Sequence, residues 1–244
     1  MTRAEQLPFL RRFPDSRELS AIVNQLAMLA KHWRAGEVKT RLAADIGAEC
    51  AAALYREFVA LLTRRLANVG DRRALAFSPP DARAAFAELA GPHWQLVEQS
   101  EGDLGQRMRR LFEELPVAPD SRVVLIGSDS PTLPIEYVNE AFERLHEVPV
   151  VLGPTDDGGY YLVGAMGCVP PIFSGVPWGT AEVWDRTVRL LHDAGTRFAT
   201  LPPWYDVDDD DDLVRLRDDA AKLAHQDGTW TDLLGAVRAA LPHR

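Results

Sequence analysis

The chain has 244 residues, 46% hydrophobic and 26% charged, an ordinary composition for a globular protein and long enough for one large α/β domain. Of its formal charge of −9, residues 206–219 supply −6, from eight Asp less Arg215 and Arg217; the remainder is mildly acidic, with no basic stripe for nucleic acid. Cys50 and Cys168 show no metal or disulfide spacing, and no apolar run has the length of a signal peptide or a bilayer span, so a cytoplasmic protein is expected.

Residues 1–20 form an extension ahead of a single domain, 21–244. A first strand is predicted over 22–29, followed by a loop holding Lys31, Arg34, Gly36, Lys39 and Arg41. A Gly turn with Lys and Arg just past a strand makes a phosphate cradle; a solvated charged loop has the same composition. Neither GxxxxGK[ST] nor GxGxxG occurs. A helix over 48–67 places Leu54, Phe58, Leu61, Leu62 and Leu66 at helical spacing. A strand at 74–77 stops at Pro79-Pro80, and a helix at 82–89 and a strand at 94–97 follow. The helix over 104–115 begins after Gly102-Asp103. Gly105 and Arg107 within it are candidates for close approach to a nucleotide and its phosphates.

The run Val123-Val124-Leu125-Ile126 ends in Gly127-Ser128-Asp129-Ser130-Pro131 and reads as a buried parallel strand. Open α/β sheets bind ligands outside the carboxyl ends of their strands, which makes Ser128 and Asp129 candidates for phosphate and metal binding. Asp129 reads equally well as a cap on the helix predicted at 135–146. Strands at 148–152 and 160–163 are joined through Asp156-Asp157-Gly158-Gly159, a hairpin by its turn residues, with two carboxylates available as a base. Thr180 reads as the cap of a helix over 181–191, and Trp178 as helix approach or a ligand wall. After a strand at 198–201, Asp206 or Asp208 is a candidate metal ligand. Asp209 to Asp212 read as the charged start of a helix at 213–224, and a last helix covers 230–241. Alternating strands and helices imply a mostly parallel sheet with helices on both faces and a small antiparallel addition.

The runs KTRL, GDLGQRM, LIGSDSPTLP, VVLGPTDDGGYYLVG, WGT and YDVDDDDDL, in that order, resemble a bacterial family of GT-A-fold glycosyltransferase-like proteins of the nucleotide-diphospho-sugar transferase superfamily. The likeness runs from Asn24 to Leu216. The 2-phospholactate and molybdenum-cofactor guanylyltransferases look like more distant relatives. Here His32-Trp33-Arg34-Ala35 replaces a proline-bearing loop, and Asp replaces the Thr and Pro that follow the family's DVD element.

The resemblance implies a single Rossmann-like GT-A domain with Mg²⁺ or Mn²⁺ on Asp129 and Asp208. It places Lys39 and Arg41 at the nucleotide phosphates, and Asp156 and Asp157 on the acceptor side. The expected ligands are a nucleotide or nucleotide-sugar and a small-molecule acceptor. Metal-dependent glycosyl transfer leads. Nucleotidyl transfer, with release of pyrophosphate, is the alternative, and a nucleotide-binding module without catalysis is the third reading.

Overall fold

A computed structural model describes residues 22–116, 118, 120–167, 169–225 and 228–241. The extension at 1–20 and Cys168 lie outside the described residues. The strands are β1 (Asn24–Lys31), β2 (Arg72–Ser78), β3 (Gln95–Glu98), β4 (Arg122–Ile126), β5 (Val150–Pro154), β6 (Tyr160–Met166) and β7 (Phe198–Thr200). The helices are α1 (Thr40–Ile46), α2 (Ala48–Arg65), α3 (Arg83–Ala90), α4 (Leu104–Glu114), α5 (Ile135–Arg144), α6 (Val183–Asp193), α7 (Asp210–Ala224) and α8 (Thr231–Ala240).

The strands form one sheet in the order β3-β2-β1-β4-β6-β5-β7. β6 runs antiparallel to both β4 and β5, while the other neighbours are parallel. This is the mixed sheet expected from the sequence. From β1 the chain builds outward through β2 and β3, then returns to β1's other side as β4. That reversal opens a crevice beyond the carboxyl ends of β1 and β4, the usual ligand position in such sheets.

Strand side chains alternate between two cores, as a two-residue period requires. Leu26, Met28, Val124 and Ile126 face a core built with α1, α2, α3, α5, α7 and α8. Ala27, Val123 and Leu125 face a second core filled by Met108, Leu111 and Phe112 of α4 and Leu191 of α6. Every residue of β4 is buried. Each of its large apolar side chains contributes roughly 1.5–3 kcal/mol by leaving water.

Three local readings change. Residues 40–46, read as loop, form α1; Leu42 is its single buried residue, too little apolar pattern to register as a helix. Helix α6 starts at Val183 with Glu182 at the cap, not Thr180, whose hydroxyl accepts from Glu182 N at 3.3 Å and donates to Pro177 O at 2.9 Å. Helix α7 starts at Asp210, earlier than predicted. Asp209 and Asp212 cap it reciprocally, each side chain accepting from the other's backbone N–H.

Candidate functional site

A cavity of about 730 Å³ opens at the crevice between β1 and β4. Its floor is the carboxyl end of the sheet: Leu29, Ala30 and Lys31 from β1, then Gly127, Ser128 and Asp129 after β4. Asp206 and Asp208 enter from the segment after β7, and Thr155, Asp157 and Gly159 from the β5–β6 turn. Leu104, Arg107 and Met108 of α4, with Trp178 and Tyr160, form the opposite wall.

Asp129, Asp206 and Asp208 line the same end of the cavity. Lys39 Nζ pairs with Asp129 Oδ1 and lies 3.1 Å from Asp208 Oδ1, while Arg41 Nη2 pairs with Asp208 Oδ2. The Lys39 side chain is 3% exposed, beneath the cavity floor. Its backbone is left-handed at φ 47°, a conformation costing a non-glycine residue roughly 1–2 kcal/mol. Burial alone would pull its ammonium towards neutrality, but Asp129 and Asp208 overcome that and hold it charged well above the usual lysine range. Burial would likewise raise Asp208, but Lys39 and Arg41 keep it below the usual carboxylate range. Asp206 makes no ion pair of this kind, and Lys39 opposes its shift only weakly. Burial and the nearby Asp129 push its carboxyl up to about 7, against the opposing hydrogen bond from the Ser130 hydroxyl.

Tyr55 of α2 lies beside them. Its hydroxyl accepts from Lys31 N–H at 3.1 Å and sits 2.6 Å from Ser128 Oγ. One hydrogen bond between two hydroxyls uses one hydrogen, so the other is left for the cavity that both residues line. Burial, then Asp129, pushes the tyrosine hydroxyl up to about 12, so it stays protonated at neutral pH. Gln99 ties the wall together, with Nε2 donating to Ala30 O at 2.9 Å and Ala76 O at 2.7 Å. Arg107 lies next to it, Nη1 to Gln99 Oε1 at 3.4 Å and Nε to Gly102 O at 2.9 Å.

Of the candidates from sequence, Lys31, Arg41, Arg107, Ser128, Asp129, Asp157 and Asp208 line the cavity, with Lys39 directly beneath. Gly36, Gly105 and Asp156 do not line it. Gly36 makes a turn at φ 79° with open space around it. Gly105 serves packing: a Cβ there would stand 2.5 Å from Trp178 Nε1 and 2.4 Å from Phe173 O. Asp156 is drawn away by Arg215 at 3.0 Å, whereas Asp157 Oδ1 accepts from Thr155 Oγ1 at 2.6 Å and Gly159 N at 3.2 Å. Asp129 is not a helix cap, because α5 is capped at Pro134. Sequence reasoning missed Tyr55 and Gln99. Tyr55 lies on a helix face that reads as core, and the polar tip of a core tyrosine is the one signal that could have exposed it.

The donor set at Asp129, Asp206 and Asp208 is hard oxygen throughout, which suits Mg²⁺ or Mn²⁺. Lys39 is itself a cation standing where Asp129 and Asp208 converge. Among the described residues no three His, Cys, Asp or Glu side chains are grouped closely enough to hold a metal by themselves. Mg²⁺ needs no such cage, since it commonly takes one or two carboxylates and completes its shell with phosphate oxygens and water.

The chain is similar to a Desulfovibrio desulfuricans protein described as a candidate nucleotide-diphospho-sugar transferase, at 32% identity and TM-score 0.79, covering 89% of this chain and 97% of that one. It is also similar to CMP:2-keto-3-deoxy-manno-octonic acid synthetase complexed with CTP, at 13% identity and TM-score 0.53, with 83% and 99% covered. A third likeness is to 4-diphosphocytidyl-2C-methyl-D-erythritol synthase from Anaerococcus prevotii, at 11% identity and TM-score 0.51, with 80% and 96% covered. The last two share the fold. No curated protein matches the chain. The profile of a family described as "Uncharacterized protein conserved in bacteria (DUF2064)" matches residues 61–180. With that match and a relative 32% identical over nearly its whole length, the chain belongs to the DUF2064 family, on a GT-A-like fold.

Proposed function

We propose that the protein is a metal-dependent transferase that takes a nucleotide-sugar as donor. The observation that carries this reading is the shared cation: Asp129 and Asp208, which line a nucleotide-sized cavity at the switch point of the sheet, both pair with the buried Lys39 ammonium. The 32% identical relative, described as a candidate nucleotide-diphospho-sugar transferase, supports the donor class.

In this mechanism Asp129 and Asp208 would hold Mg²⁺ or Mn²⁺. When bound, the ion supplies Lewis-acid stabilisation of charge developing on the departing phosphate. Lys39 and Arg41 add positive charge on the same side, and Arg107 presents a guanidinium from the opposite wall. The hydroxyl pair of Tyr55 and Ser128 gives one neutral donor to a ligand oxygen. Asp157, whose Oδ1 is held by Thr155 and Gly159, offers Oδ2 as the atom that takes the proton of an acceptor hydroxyl. Trp178 and Leu104 supply apolar wall area that excludes water from the reacting groups.

Nucleotidyl transfer is the second reading, supported by two proteins that share the fold, a CMP:2-keto-3-deoxy-manno-octonic acid synthetase complexed with CTP and a 4-diphosphocytidyl-2C-methyl-D-erythritol synthase. The same carboxylates and cations would serve attack on an α-phosphate. The products separate the two: nucleoside diphosphate for sugar transfer, pyrophosphate for nucleotidyl transfer. The experiment is a thermal-shift panel of nucleoside triphosphates, diphosphates and nucleotide-sugars with and without Mn²⁺, followed by product analysis for any ligand that stabilises. Metal-dependent stabilisation by a nucleotide-sugar, with nucleoside diphosphate as product, is the expected result. Release of pyrophosphate would replace the first reading with the second.

A further inference from the structure

We infer that Lys39 is a resident counter-cation that a divalent metal must displace, so that metal binding depends on a nucleotide being present to draw Lys39 away. The inference rests on the metal–nucleotide reading above. It follows from three observations. First, Lys39 Nζ already satisfies one oxygen of each carboxylate that would hold the metal, Asp129 Oδ1 and Asp208 Oδ1, while Arg41 takes the other oxygen of Asp208. A dication at that position and an ammonium in the same place repel.

Second, the two carboxylates that would hold the metal are already paired, Asp129 with Lys39 and Asp208 with both Lys39 and Arg41, so a dication arriving alone meets carboxylates whose charge is largely matched. A polyphosphate brings further negative charge. Third, no grouping of three protein ligands exists among the described residues, so most of the shell would come from outside the protein, from water or, more strongly bound, from phosphate oxygens. Lysine suits this exchange. Its ammonium is a compact charge on a flexible stem and can pass from carboxylate to phosphate by side-chain rotation, without moving the backbone.

The device makes the empty enzyme a poor metal binder and the metal–nucleotide pair a good one, a coupling that is reciprocal by thermodynamic linkage. Its test is metal binding, read without turnover. Mn²⁺ alone is titrated against the wild type, Lys39→Met and Lys39→Gln, with free aqua-Mn²⁺ followed by its paramagnetic resonance signal. Both variants are expected to bind Mn²⁺ about tenfold or more tightly than the wild type, within the usual range of coupling of about 5–150-fold. The advantage should shrink or vanish when ATP, GTP, CTP, UTP or UDP-glucose is present.

Variants that fold, by near-ultraviolet circular dichroism, yet bind Mn²⁺ no more tightly than the wild type would overturn the role of Lys39. The metal reading survives that result if Mn²⁺ still binds with a nucleotide. Absence of Mn²⁺ binding by every protein, with every probe, overturns both. Should the buried substitutions prevent folding, the wild type supplies the second measurement, the ¹⁵N resonance of the Lys39 ammonium. Mg²⁺ alone is expected to leave it in place, and Mg²⁺ with the stabilising nucleotide to move it. An equal shift with Mg²⁺ alone overturns the proposal.

Discussion

The backbone N–H of Val207 donates to the carbonyl oxygen of Asp129 at 3.0 Å. This bond ties the segment after β7 to the end of β4. Val207 is fully buried, so the acids on either side of it, Asp206 and Asp208, are turned to the cavity beside Asp129. Tyr205 anchors the same segment from below: its hydroxyl accepts from Thr132 Oγ1 at 3.0 Å and donates to Asp219 Oδ2 at 2.9 Å. The carboxylate cluster is therefore a product of main-chain stitching.

Asp129→Asn keeps the shape of the side chain and removes its charge. The protein should stay folded, lose the Mn²⁺-dependent part of any nucleotide-induced thermal shift, and turn over at least about 100-fold more slowly, the scale of losing one electrostatic contact to developing charge. Retention of the full Mn²⁺-dependent shift would remove Asp129 from the metal site.

Asp206 makes stability depend on pH. Its folded value, about 7, lies above the ordinary 3.8, so between these pH values the native state carries a proton that the unfolded chain has released. Stability from this group is thus fully present below about pH 4 and is lost as pH rises through about 7. In EDTA, Asp206→Asn should raise Tm at pH 8 by roughly 2–4 °C or more and change it little at pH 4, assuming at least 1 kcal/mol at stake. Thermal melts of both proteins across this range check the sign. An equal effect at both ends would show that the carboxyl is not perturbed.

Tyr55→Phe deletes the bridge between Lys31 N–H and Ser128. The expected cost is about 0.5–1.5 kcal/mol in urea unfolding, the usual net worth of a hydrogen bond, with the Lys31 N–H left unmatched. If the spare hydroxyl hydrogen serves a ligand, nucleotide affinity falls severalfold in Tyr55→Phe and in Ser128→Ala alike. A stability loss with unchanged affinity would confine the pair to a structural role.

Gly158 and Gly36 both have positive φ, 90° and 79°, but differ in surroundings. A Cβ on Gly158 would lie 2.4 Å from Ala181 O, a backbone atom, whereas one on Gly36 meets nothing within 4 Å. Gly36→Ala should cost only the backbone strain, roughly 1–2 kcal/mol. Gly158→Ala should cost more and disturb the cavity wall at Ala181, because Trp184 N also donates to Gly158 O at 2.8 Å. Denaturant titration of the two variants measures the difference, and nucleotide affinity should fall only in Gly158→Ala.

Much of this protein is written in local pattern. The run 123–126 ending in Gly-Ser-Asp announces a buried strand with a carboxylate at its ligand edge, and the Asp run announces a capped helix start, because a strand's apolar run and a helix's first turn are decided within a few residues. The positions of Lys39 and Asp208 needed the tertiary structure. They are 169 residues apart, and they meet because the sheet order places the loops after β1, β4 and β7 at one edge. Which of two adjacent acids faces the cavity was equally beyond the local pattern. Asp157 turns in and Asp156 turns to Arg215 because the turn's hydrogen bonds and an arginine from α7 divide them. Composition and spacing tell which residues can do chemistry; the environment that charges, neutralises or buries them exists only once distant segments have packed.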